Sequence, residues 1–140
     1  MYKLLNNSTS ILRTTDNAFI PVDPANTDYA AYIAWLAEGN TPEPADAKTK
    51  EQIIEEYQAA VQKRLDDFAQ TRNYNGILSA CTYAASTVAR FKAEGQYCGN
   101  ARDTTWAKCY EILDTVNSNS RPMPTLEQLM SELPVLSWPN

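Results

Sequence analysis

Three cysteines (Cys81, Cys98 and Cys109) and three acidic pairs (Glu55–Glu56, Asp66–Asp67 and Asp23–Asp28) are the side chains whose types could do chemistry. Two carboxylates converging on one atom can act as general acid and base, and a thiolate can act as a nucleophile. Glu55–Glu56 and Asp66–Asp67 are neighbours on a helical pattern, so their side chains diverge by about 100° and do not converge. Asp23 and Asp28 flank a helix start, where negative charge complements the dipole. The chain contains no histidine, which removes the usual base for a Ser or Cys nucleophile and the commonest metal ligand. The cysteines form no C-x2-C pair, so zinc is not expected. The four glycines, Gly39, Gly76, Gly95 and Gly99, match neither the dinucleotide fingerprint nor the P-loop. The expectation is a non-enzymatic protein with no cofactor, no metal and no catalytic residue.

The thiols are expected to be reduced, as in a cytosol. Cys81 and Cys109 lie on apolar helical stripes and should be buried. Cys98 lies between glycines in QYCGN, read here as an exposed turn. A Cys81–Cys98 or Cys98–Cys109 disulfide stays open should the protein finish in an extracellular particle. The formal charge of −5 and the scattering of twelve Lys and Arg argue against nucleic acid, which needs a basic face. MYKLLNNSTS lacks the apolar core of a signal peptide, and no apolar run approaches the roughly 20 residues of a membrane span. No membrane partner is expected, and a cytosol is the expected location.

The elements that must position these residues read as mainly α. The 140 residues suit one domain with a short appended module. Short strands are expected near 2–5, 10–14 and 18–22, forming a hairpin or meander that must pack on something else. A helix follows Pro24, capped by Asn26 or Thr27, with Tyr29, Tyr32, Ile33 and Leu36 on one stripe and Gly39 as its stop. Residues 41–48, TPEPADAK, read as a Pro-rich, semi-rigid linker. It separates a docking module, 1–40, from a helical domain, 49–140, expected to be a compact bundle of three longer helices and a short C-terminal one. Thr49 and Gln52 form a capping box for a helix to about Arg72. Further helices are read at about 77–94 and 100–117, split by the EGQYCGN turn. A second capping box, Thr125 with Gln128, opens a short helix that Pro134 ends. The apolar end, with Val135, Leu136 and Trp138, either folds back on the helices or enters a partner.

Two stretches carry a resemblance. FIPVDPANTDY followed by YIAWLAEGNTPEPAD, within residues 16–46, resembles a module of tail-fibre accessory, or assembly, proteins of tailed bacteriophages. Residues 75–138, with GILSACTYA, AEGQ, WAKCY and RPMPTLEQLMSELP, are similar to a helical region of small phage proteins encoded near tail or fibre genes. The resemblance implies a role in building or decorating a phage tail, as a fibre chaperone or as a permanent structural adaptor. The implied partner is a tail-fibre or baseplate protein, with a homo-oligomer left open, and the implied location is the host cytoplasm during assembly, with the virion tail as the alternative. A small phage enzyme or host-takeover inhibitor is the remote alternative. Aromatics are enriched at interface hot spots, so Phe19, Tyr29, Tyr32, Trp35, Leu136 and Trp138 are the candidate partner-binding residues.

Overall fold

A computed structural model describes residues 1–6 and 8–140. The chain is mostly helical, with a small antiparallel sheet at its N-terminus. It divides into two compact units, Met1–Ile53 and Ile54–Asn140. No helix among the described residues is long and apolar enough to cross a membrane.

In the first unit, β1 (Tyr2–Lys3), β2 (Ser10–Arg13) and β3 (Ala18–Pro21) form an antiparallel meander in the order β1-β2-β3. Asn17, at φ 58°, supplies the left-handed residue of the β2–β3 turn. The period-2 alternation sends Tyr2, Ile11 and Ile20 to one face, where all are buried. Helix α1 (Thr27–Ala37) covers that face with Tyr29, Tyr32, Trp35 and Leu36. Its N-cap is Asn26, whose side chain accepts the Tyr29 N–H, and Gly39 at φ 88° ends it.

The Pro-rich stretch, read from sequence as a linker, is part of the first unit. Leu4 N–H donates to the Glu43 carbonyl (2.9 Å) and Glu43 N–H to the Tyr2 carbonyl (2.8 Å), so the stretch lies along the outer edge of β1. Lys3 ties it down again through Asp46 (2.8 Å).

In the second unit, which takes α2 (Lys50–Gln70) from Ile54 onward, Leu65 and Ala69 pack with Ile77, Ala80 and Cys98 in one core cluster. A second cluster joins Val61 of α2 to Ile112, Leu129 and Leu133. Asp66 of α2 accepts the Ile77 N–H (2.8 Å) and so caps the short α3 (Ile77–Cys81), while Asp67 pairs with Lys63 (2.6 Å). The two acids thus point apart, as adjacent helical positions require.

The expected helix boundaries in this unit need correction. The third helix stops early: α3 runs into a 3-10 turn, Thr82–Ala85, and the chain is extended at Ser86, φ −60° and ψ 145°. Ser86 Oγ accepts the Val88 N–H there (3.2 Å). Helix α4 then runs unbroken from Ala89 to Asn117, through Gly95 and Gly99. The expected turn at 94–100 does not exist, and Cys98, expected to be exposed, is fully buried. Each interior glycine costs roughly 1 kcal/mol against Ala. The buried stripe Gly95, Cys98, Ala101, Thr105, Ile112 and Val116 outweighs that cost. The helical domain therefore has two long helices, α2 and α4, where three were expected.

Helix α5 (Leu126–Glu132) starts at Thr125 with both bonds of the capping box formed. The tail beyond it lies on the helical unit. Arg64 Nη2 donates to the Pro134 carbonyl (2.8 Å), Ser137 N–H to Tyr97 Oη (2.7 Å) and Trp138 Nε1 to Thr71 Oγ1 (2.9 Å).

Candidate protein-binding surface

The ladder of the small sheet decides which side chains it offers outward. Ile11 faces Ile20, Leu12 faces Phe19 and Lys3 faces Leu12. Lys3, Leu12 and Phe19 therefore make one cross-strand row on the face opposite the buried Tyr2, Ile11 and Ile20. Phe19 is 69% exposed, and Val22, directly after β3, is 51% exposed. Met1 and Leu4, which flank β1, are also exposed. So many large apolar side chains left in water within 22 residues is more than scattered surface hydrophobicity requires.

Electrostatics add a sign to this surface. The first unit, Met1–Ile53, holds four cations, Lys3, Arg13, Lys48 and Lys50, against seven carboxylates: Asp16, Asp23, Asp28, Glu38, Glu43, Asp46 and Glu51. Lys3 is paired with Asp46, and Arg13 with both Asp16 (2.8 Å) and Asp28 (2.7 Å). Hydrogen bonding from Arg13 holds the Asp16 carboxyl below its ordinary range. The outer face thus sits in a net acidic module.

The six aromatic and apolar residues singled out from sequence fall in three places. Phe19 stands on the outer face. Tyr32 is buried, with Tyr29 and Trp35 half-buried beside it; the Tyr2 ring meets Tyr32 and Trp35 edge-on, each at 5.0 Å. Burial pushes the Tyr32 phenol up from its ordinary value. Leu136 and Trp138 lie in the second unit, half-buried on the α2–α3–α4 core. Trp138 stacks on Phe68 (4.3 Å), and the Arg72 guanidinium lies 4.9 Å above its ring. The structure therefore unites Tyr29, Tyr32 and Trp35 under the sheet, and Leu136 with Trp138 on the helices. Leu12 was missed from sequence; the signal that finds it is the cross-strand register, which puts it beside Phe19.

The strongest polar cluster was also missed. Glu94, 2% exposed, receives Arg72 Nη1, Arg90 Nε (2.9 Å) and Tyr74 Oη (2.6 Å). Burial alone would raise this carboxyl, but the bonds from Tyr74, Arg90 and Arg72 outweigh it and hold it at about 2. Burial, then the Glu94 bond, pushes the Tyr74 phenol up to about 12. An open hollow of about 470 Å³ lies beside the cluster, lined also by Ala89, Pro139 and Asn140. Both guanidinium groups are already committed to Glu94, so the cluster ties the end of α2 to α4.

Compared with protein-family models, with curated proteins and with solved structures, the chain matches none.

Proposed function

We propose that this protein is a non-enzymatic accessory protein that binds another protein through the outer face of its N-terminal sheet. The observation that carries this reading is the exposed Phe19 beside the half-buried Leu12 on the outer face of the sheet, on a module whose own core is already complete under α1. Such a face fits a partner with an apolar centre and basic residues around it, because the first unit carries seven carboxylates against four cations. The resemblance of residues 16–46 and 75–138 supplies the class of partner: a tail-fibre or baseplate protein of a tailed bacteriophage.

The test is affinity capture with the tagged full-length chain from phage-infected cells. Co-purification of a fibre or baseplate protein is expected. Phe19→Asp should weaken that capture tenfold or more, the scale of an interface anchor worth roughly 2 kcal/mol. Capture of no tail protein, or capture unchanged by Phe19→Asp with the fold intact, would overturn the reading. Mass spectrometry of purified virions then separates the two roles. Near-stoichiometric copies identify a permanent adaptor, whereas capture from lysate without presence in virions identifies an assembly chaperone.

A further inference from the structure

Helix α4 is continuous from Ala89 to Asn117, so Cys98 and Cys109 stand on one rod, eleven residues apart. At about 1.5 Å per residue their Cα atoms are roughly 16 Å apart, more than twice the roughly 7 Å that a disulfide spans. A Cys98–Cys109 bridge is thereby excluded while the helix stands. Cys109 also belongs elsewhere, packed on the cluster of Val61, Ile112, Leu129 and Leu133.

Cys81 and Cys98 share one cluster instead. Cys98 is fully buried with Leu65, Ala69, Ile77 and Ala80, and Cys81 packs against that same group. The two elements that carry them meet at Gly95, where a Cβ would lie 2.4 Å from the Ala84 nitrogen and 2.9 Å from the Ala80 carbonyl oxygen. Cys81 is the residue after Ala80, and Cys98 is one helical turn beyond Gly95. The Cys81 thiol also senses Arg102, one further turn along the same side of α4. Cys81 therefore lies over the stretch from Cys98 to Arg102.

We propose that Cys81 and Cys98 are a redox-modifiable dithiol that closes to a disulfide when the folded protein meets a thiol oxidant. The order of events follows from access. Cys98 has no exposed surface and burial pushes its thiol up to about 11, so it does not meet the oxidant first. Cys81 is half-buried and so the more accessible of the two; burial raises its thiol, with Arg102 lowering it and Asp103 raising it. With diamide as oxidant, the Cys81 thiolate adds to the N=N bond. Cys98 then loses its proton and attacks Cys81 Sγ; the S–N bond breaks as the S–S bond forms. The hydrazine product carries away two electrons and the two thiol protons. The bridge would staple α3 to α4 across the 3-10 turn, at the site where the backbones are closest. This inference is independent of the identity of any partner.

The experiment treats the native full-length chain with diamide, then denatures it, alkylates the remaining thiols and maps the peptides without reduction. The expected result is loss of two of the three thiols and a Cys81–Cys98 linked peptide in the monomer. Cys109→Ser should leave that linkage unchanged, and Cys81→Ser, at the more exposed position, should abolish it. Persistence of all three thiols, a linkage that contains Cys109, or a dimer joined through Cys81 would overturn the proposal.

Discussion

Gly95 and Gly99 lie four residues apart on α4, yet the structure assigns opposite signs to the same substitution at the two sites. A methyl group at Gly95 would sit 2.4 Å from the Ala84 nitrogen, 2.5 Å from the Tyr83 carbonyl carbon and 2.9 Å from the Ala80 carbonyl oxygen. All three are backbone atoms, so no rotamer change relieves the clash. To restore ordinary contact, α4 and the α3–3-10 segment must separate by about 1 Å, which forfeits a quarter to a half of the dispersion energy along the crossing. Overpacking and lost contact together cost about 3 kcal/mol, from which about 1 kcal/mol returns because Ala is the better helix former. Gly95→Ala should therefore destabilise by about 2 kcal/mol. At Gly99 nothing lies within 4 Å of the added methyl, so only the helix term remains. Gly99→Ala should stabilise by about 0.5–1 kcal/mol. With a urea slope of about 1 kcal/mol/M, the midpoint falls by about 2 M in the first variant and rises by up to about 1 M in the second. Urea titration followed by far-ultraviolet circular dichroism reads both. Gly95→Ala as stable as the parent, or shifts of the same sign in the two variants, would refute the close crossing of α4.

Two further perturbations test the helical unit. The Glu94 carboxyl titrates at about 2 when folded against an ordinary 4.5, so the unfolded chain binds its proton first. Its stabilising contribution is complete above about pH 4.5 and is lost as the pH falls towards 2. Stability measured across that window should decline in the parent and decline less steeply in Glu94→Gln; parallel curves would remove Glu94 as the acid-sensitive group. Trp138→Ala removes the stack on Phe68, the bond to Thr71 and the platform under Arg72. Because the ring is half-buried, the loss should be about 2 kcal/mol, below the range for a core Trp. An unchanged urea midpoint would mean that the tail is not seated on the helices.

What was legible in the sequence was whatever local chemistry dictates. Asn26 and Gly39 bound α1, Thr49 with Gln52 opens α2, and Thr125 with Gln128 opens α5, each close to where its cap motif puts it. The strands were also legible, because polar runs separate short apolar pairs. The break in the third helix was not. Gly95 and Gly99 look like turn residues, but a glycine also marks a close backbone approach, and only the position of Ala80 and Ala84 decides between the two. Misplacing that break also misplaced Cys98. The Glu94 cluster was illegible for a related reason: Arg72 and Tyr74 come from 22 and 20 residues away. Among the candidate binding residues, composition could not sort the rings of the core from those of the surface. Tyr32 closes the sheet's own core, whereas Phe19, one strand register away, faces outward.

The way a partner can reach the sheet follows from its edges. Exposed strand edges invite another strand to pair, and proteins blunt them by covering them or by placing proline there. The β1 edge is covered by the stretch around Glu43. On the other side, the bond from Val22 N–H to the Thr9 carbonyl sets the ladder phase. Ile20 and Ala18 then make the paired bonds to β2, and Phe19 and Pro21 turn their backbones to the open edge. Pro21 has no N–H to give, so Phe19 is the only donor that β3 presents there. Strand addition is poorly supported at either edge, which leaves the face. A partner that docks on the face must use side-chain contact with Phe19 and the half-buried Leu12. Its binding should therefore respond to the size and polarity of residue 19 far more than to the hydrogen-bonding capacity of β3.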